Sequence, residues 1–352
     1  MRISRIDADI VDLPLSNPYE IAYESVSRVR NILLRIHTTT GVVGLGVAAP
    51  DEPVTGEAIA PAYRAVLDIA APVLRGGDPL RPARLMYRLN RPLERWPSVR
   101  SALDMAILDI VGKVANLPVY KLLGGFRHHI MTSITIGIMD EGNTVRVAME
   151  HVRAGFRAIK IKGGQNLEED IVRILRVREA VGPKIAIRFD ANQGYSLEGA
   201  VRFVKKTQQA GVEILEQPTP KKEMDILGDV TRRVPVPVMA DESLLDLRDA
   251  FRLAKRGFAD MINIKLMKVG GIREASAITA VARAAKLDVM VGCMDELTLG
   301  IAAGLAFACA TPHVAFADLD GHIGIEGDPT AAAIRLKKGI LYPSRAPGLG
   351  LE

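Results

Sequence analysis

Three carboxylates recur about 25 residues apart, and each closes a short apolar, β-branched run: Ile187-Arg188-Phe189-Asp190, Ile214-Leu215-Glu216 and Val238-Met239-Ala240-Asp241. One such acid would be an ordinary helix cap or ion-pair partner. Three at the ends of consecutive strands can converge on a point, and three hard oxygen ligands with positions left open suit Mg2+ or Mn2+. No paired His or Cys accompanies them, which argues against zinc. Asn192 lies two residues beyond Asp190, on the same side if the strand continues, and could support the ligand shell. The second chemical set is basic. Strand period two puts Lys160 and Lys162 on one side, and Lys265 ends the apolar run Met261-Ile262-Asn263-Ile264. Ammonium groups crowded near a divalent cation disfavour protonation, so one could act as a neutral base near pH 7. Two bases on opposite faces of one carbon can remove a proton from one side and return one to the other. A Schiff-base lysine is the competing use, but it needs one lysine and leaves the acids unexplained.

Those residues need a scaffold that brings strand ends together. Short β-branched runs begin near Met131, Arg157, Lys184, Val212, Val236, Asp260, Asp288 and Val314, at steps of about 24–28 residues with amphipathic stretches between them. This rhythm predicts an α/β fold, a TIM-type (β/α)7β barrel over 126–320, with a doubly wound open sheet as runner-up. In such a barrel the chemistry lies at the C-terminal strand ends, and strands two and six are opposite, so Lys162 and Lys265 should face each other across the mouth. Residues 1–125 read as an α+β unit. Strands are expected near Ile3–Leu13, Asn31–His37 and Val42–Val47, then helices over roughly 54–73, 81–93 and 98–115. Residues 321–352 are expected to return to that unit.

The chain has 352 residues, 48% of them hydrophobic, with 46 Lys plus Arg against 41 Asp plus Glu, a net charge of +5. The basic residues read as dispersed among acids, as in Lys221-Lys222-Glu223, and aromatics make up only 5%, so neither nucleic acid nor a membrane is an expected partner. Two cysteines are too few for a disulfide framework, and a cytoplasmic protein, assembling as a homo-oligomer, is expected.

The helix Ser98-Ala-Leu-Asp-Met-Ala-Ile-Leu-Asp, the Lys160-Ile161-Lys162 triplet, the Asp, Glu, Asp series, Asn263-Ile-Lys-Leu-Met-Lys-Val-Gly-Gly, Gly292-Cys-Met-Asp-Glu and Asp318-Leu-Asp-Gly together resemble the enolase superfamily. The likeness is to its muconate-lactonizing subgroup, and most of all to dipeptide epimerases. It implies a capping domain on a barrel, with Asp190, Glu216 and Asp241 as Mg2+ ligands and Lys162 and Lys265 as acid/base catalysts. It further implies that Lys160 neutralises the substrate carboxylate and that Thr135 touches the substrate. Val47 departs from the glutamate common at that place in relatives, a matter of local packing. The same scaffold also serves N-acylamino acid racemases, o-succinylbenzoate synthases and muconate cycloisomerases. A noncatalytic metal-binding barrel is the reading from a different class.

Asp318 and Asp320 favour the dipeptide, because two carboxylates across the pocket from the metal suit a substrate ammonium. Acids in the loop Asp51-Glu52-Pro53-Val54-Thr55-Gly56-Glu57, together with Asp295, would disfavour an acidic side chain and favour Lys or Arg over Ala-Glu. Of these, Asp51 and Asp295 are the expected substrate contacts.

Overall fold

The structure is a computed structural model that describes residues 1–22 and 24–351. Its first 48 residues form a three-stranded antiparallel sheet in the order β1 (Ile3–Glu20), β2 (Ser25–Thr38) and β3 (Val43–Ala48). Alternation decides which face is covered: Ile32, Leu34 and Ile36 of β2 are fully buried and pack with Leu89, Leu103 and Ile107 from the helices that follow. The β1–β2 register runs evenly from Arg5 to Pro14 and then breaks before Tyr19, which pairs with Val26 in the hairpin tip.

The helix Pro97–Ala115 begins with proline in its first turn and ends at Asn116 in the left-handed conformation. It lies directly on β3, because Gly46 has no side chain: a Cβ there would fall 2.0 Å from the Ala102 carbonyl oxygen. Val47 beside it is fully buried. The expected helix over 54–73 is two pieces, one turn at Glu52–Thr55 and a longer stretch from Ile59 to Leu74 with a π-helical middle, Ala65–Ala70. Gly56 in the left-handed conformation separates them.

After a two-residue strand, β4 (Ile130–Met131), the barrel follows: β5 (Ile134–Ile136), β6 (Ala158–Lys162), β7 (Ala186–Asp190), β8 (Val212–Glu216), β9 (Val238–Ala240), β10 (Met261–Lys265), β11 (Asp288–Gly292) and β12 (Val314–Asp318). These eight are parallel neighbours in sequence order. The ends meet through the Thr132–Ala317 bridge and the Ser133 N–H on the Ala317 carbonyl, 3.1 Å, so the ring is nearly closed. It is a TIM-type barrel, not an open doubly wound sheet. One expected strand start is corrected. Met131 belongs instead to a small sheet with β14 (Ile340–Pro343) and β13 (Ile334–Lys337), because the chain around Thr132 is taken up in closing the ring.

The ends of this framework are tied together. Asp104, fully buried in the helix Pro97–Ala115, accepts hydrogen bonds from Ile272 N (2.8 Å) and Arg273 N (3.3 Å) at the start of the barrel helix Ile272–Ala285. In the tail, Leu349 N donates to Asp109 of the same helix at 2.7 Å. Among the described residues no helix is long and apolar enough to cross a membrane.

Candidate active site

The barrel interior is apolar at one end and charged at the other. Ile214, Met239, Met261 and Met290 form a small internal core, and towards the C-terminal strand ends the inward positions change to Lys160, Asp190, Glu216, Asp241 and Lys265. Strand alternation produces this change, since Ile159 and Ile161 point outward to the helices while Lys160 and Lys162 point inward.

Asp190, Glu216 and Asp241 are at most 2% exposed. The Lys160 ammonium lies 3.1 Å from Asp190, 2.9 Å from Glu216 and 3.0 Å from Asp318. Lys265 lies 2.8 Å from Asp241, and Lys162 is 3.5 Å from Asp190 and donates to Asn192 Oδ1 at 3.1 Å. The charges nearest Lys160 and Lys265 are carboxylates rather than each other, and these outweigh burial and hold both ammonium groups well above the ordinary lysine range. Burial and the neighbouring Asp190 push Glu216 up to about 8, so three carboxyl groups this close do not all ionise readily without further positive charge beside them.

That crowding is the test of metal fit. Among the described residues no three ligand side chains already form a closed metal cluster. Instead, ammonium groups meet the trio, Lys160 between Asp190 and Glu216 and Lys265 and Lys268 on Asp241. An all-oxygen set of three buried carboxylates, supported by Asn192 and by Asn263 Nδ2 on Glu216 Oε1 (2.9 Å), fits a hard divalent ion such as Mg2+.

Asp318 and Asp320, expected to act together, are divided. Asp318 is committed to Lys160 and to the Ser133 hydroxyl, 2.5 Å. Asp320 accepts the Thr135 backbone N–H at 2.6 Å, and burial beside Asp318 pushes it up to about 7. Both line the pocket, together with Thr135, Lys160, Lys162, Lys265, Asp51 and Asp295. Of the loop acids, Asp51 caps the turn Glu52–Thr55 through Val54 N at 3.0 Å and borders the pocket, while Glu52 is exposed. Glu57 is withdrawn from it. The carboxylate is buried against Ser98, accepting its N–H at 3.1 Å and its hydroxyl at 2.9 Å, as a cap for the helix Pro97–Ala115.

Several residues were not foreseen. Tyr19 donates its hydroxyl to Asp295 at 2.6 Å, and Glu24, from the hairpin tip, completes an acidic wall with Asp51 and Asp295. Burial, and then proximity to Asp51 and Asp295, raise Glu24 above the usual carboxylate range. Nothing in the sequence ties residue 24 to a barrel mouth. Lys268 is fully buried, with its ammonium on Asp241 Oδ1, on the Asp241 carbonyl (2.5 Å) and on the Asn263 carbonyl (3.2 Å). A lysine inside the apolar run Leu266–Val269 was its available signal. Glu242, buried beside Asn192, has one oxygen without a partner. A larger hollow, about 1070 Å³, lies elsewhere, between the capping unit and barrel helices, so cavity size does not locate this chemistry.

Residues 5–124 match the family model for the mandelate racemase/muconate lactonizing enzyme N-terminal domain, and residues 143–352 match that for the enolase C-terminal domain-like fold. The chain is 37% identical to an L-Lys-D/L-Arg epimerase of Methylococcus capsulatus, over 100% of this chain and 99% of that protein. Among solved structures, the substrate-liganded L-Ala-D/L-Glu epimerase from Bacillus subtilis superposes with a TM-score of 0.97 at 32% identity, covering 99% of this chain and 98% of that one. A dipeptide epimerase from Methylococcus capsulatus complexed with Mg and L-Arg-D-Lys gives 0.93 at 37% identity, covering 99% of each.

Proposed function

The chain belongs to the mandelate racemase/muconate lactonizing enzyme family of the enolase superfamily, and on that premise we propose that it is a Mg2+-dependent dipeptide epimerase that prefers cationic dipeptides. The observation that carries this reading is one pocket containing both Lys162 and Lys265 at its base and Glu24, Asp51 and Asp295 along its wall. The similarity to an L-Lys-D/L-Arg epimerase supports the side-chain preference.

In this mechanism Asp190, Glu216 and Asp241 would hold Mg2+, or Mn2+ in its place, which would supply positive charge to the substrate carboxylate. Lys162 and Lys265 then exchange protons at their side-chain nitrogens: one, as the neutral amine, takes the α-proton of the second residue from one face and becomes an ammonium, and the other, as the ammonium, delivers a proton to the opposite face and becomes the amine, inverting the centre. Lys160, buried between the acids and the pocket, adds a fixed charge for the same carboxylate. Asp320 receives the substrate ammonium, and Thr135 fixes its carboxylate. The Tyr19 hydroxyl fixes Asp295, so the acidic wall is held ready for a guanidinium or ammonium side chain.

Incubation with L-Lys-L-Arg, a hydrophobic dipeptide and L-Ala-L-Glu in D2O with Mg2+, read by mass spectrometry and chiral chromatography, is expected to show deuterium entry and epimer formation fastest for L-Lys-L-Arg. Faster turnover of L-Ala-L-Glu would overturn the cationic preference. Absence of exchange with any dipeptide would overturn the epimerase reading. Asp320 gives a separate test. Because its carboxyl titrates near 7, ammonium binding should weaken as pH falls through that value and the carboxylate is neutralised. Asp320→Asn should lower kcat/KM about tenfold to a hundredfold at pH 8, in line with about 1.5–3 kcal/mol for a charged hydrogen bond, and flatten that pH dependence. An unchanged kcat/KM would remove Asp320 from the ammonium site.

A cytoplasmic homo-oligomer is part of the same proposal. The two unpaired cysteines, Cys293 and Cys309, support the compartment. A monomer in sedimentation at working concentration would remove the oligomer.

A further inference from the structure

The net charge of +5 is less dispersed than the sequence pattern suggests. Between Arg75 and Arg100 there are seven arginines against Asp78 and Glu94, an excess equal to that of the whole chain. Five guanidinium-bearing residues, Arg2, Arg75, Arg81, Arg84 and Arg88, line one depression of about 200 Å³ on the capping unit, and Asp78 is the only acid with them. Among the described residues none of the five is in an ion pair with a carboxylate. Arg5, Arg28, Arg30 and Arg35 of the nearby sheet, by contrast, are all paired with Asp7, Asp9 or Asp12. Asp78 is itself engaged, since its carboxylate accepts Leu80 N at 3.0 Å.

The geometry collects these charges by design of the chain. Arg84 and Arg88 are four apart on the helix Pro82–Asn90, so they share a face, and Arg81 stands just before its N-terminal, positive end. Gly76, in the left-handed conformation with open space where a side chain would be, turns the chain so that Arg75 joins them. Five like charges around one hollow with a single acid are self-repelling unless an anion occupies it.

We propose that this depression is a second ligand site, distinct from the barrel mouth, that takes a short phosphoanhydride chain such as a diphosphate or triphosphate. The excess of four positive charges calls for a ligand of three or more negative charges, which a carboxylate or a lone sulfate does not supply. The volume, equal to about six or seven waters, suits a few tetrahedral groups. Guanidinium forks match phosphate oxygens two at a time. At the Arg84 end the depression adjoins a further hollow bordered by Arg273, which gives an elongated anion room to continue.

The test is calorimetric titration of the full-length protein with sodium tripolyphosphate, with orthophosphate and phosphatidylglycerol vesicles as parallel arms. Tripolyphosphate should bind more tightly than orthophosphate, with affinity falling steeply as salt rises, because the arginines are exposed. Arg84→Gln/Arg88→Gln should weaken it at least tenfold with the melting temperature and epimerase activity unchanged. Arg176→Gln/Arg202→Gln removes the same charge from arginines engaged with Glu179 and Glu168, and should change affinity less than twofold. No binding of tripolyphosphate, equal weakening by both pairs, or binding to the vesicles alone would each overturn the proposal.

Discussion

Lys162→Ala and Lys265→Ala should each abolish epimerisation while leaving half of the reaction intact. With one base removed, the remaining lysine still reaches the α-proton on its own side, so deuterium from D2O should enter one epimer of L-Lys-L-Arg and not the other. The two variants should show opposite preferences. The loss in epimerisation is expected to be at least the 100-fold to 10,000-fold typical of a positioned acid/base group. The two residues sit on β6 and β10, four staves apart in an eight-stave ring, and this opposition is what makes the exchange face-specific. If either variant exchanged both epimers at equal rates, a single base would serve both faces and the two-lysine mechanism would be wrong.

The second large effect is expected from Lys268, which does not border the barrel mouth and acts through Asp241. Its ammonium is the partner of Asp241 Oδ1, while Lys265 holds Oδ2. Lys268→Met keeps the volume and removes the charge, leaving a buried carboxylate oxygen uncompensated. Breaking a buried pair in this way costs about 3–5 kcal/mol, which urea unfolding of the metal-free protein should detect. Mg2+ affinity, measured by calorimetry, should fall about tenfold to a hundredfold, as when a group that orients a ligand is lost. The split between the two readouts matters. A stability loss with unchanged Mg2+ affinity would make Lys268 a packing residue only, and no change in either would show that Lys265 alone positions Asp241.

The contrast between these lysines shows what a sequence can and cannot disclose. Lys162 and Lys265 end strands, and in a parallel barrel a strand end is also a place, so spacing of about 25 residues translated into convergence. The same logic located Asp190, Glu216 and Asp241. Lys268 lies past its strand, in the one-turn helix Leu266–Val269, where the direction of a side chain depends on how that turn packs. Asp318 and Asp320 were legible as a pair but not as two separate roles, because the division is made by Lys160 and Thr135 from β6 and β5. Glu57 shows the opposite error. A surface-looking acid in a proline- and glycine-rich loop is a buried cap, and only its meeting with Ser98, 41 residues on, reveals it.

The register break in the first hairpin has a consequence of its own. The even pairing from Arg5 to Pro14 anchors the hairpin, and Asn31 clamps it to the barrel by donating to the Asp295 carbonyl (3.1 Å) and accepting Leu297 N (2.7 Å). Beyond the break, Tyr19 and Glu24 carry part of the acidic wall, and the Glu20 and Ile21 carbonyls are held to the barrel by Ile138 N at 2.7 Å and Gln165 Nε2 at 3.2 Å. Chemistry and taste are thereby placed on separate pieces of chain: the lysines and carboxylates belong to barrel strand ends, while Tyr19 and Glu24 of the acidic wall belong to the first hairpin. A lineage built this way can change its diet by mutating a few positions in a peripheral loop, and a library confined to residues 19–25 is where new dipeptide preferences should be found first.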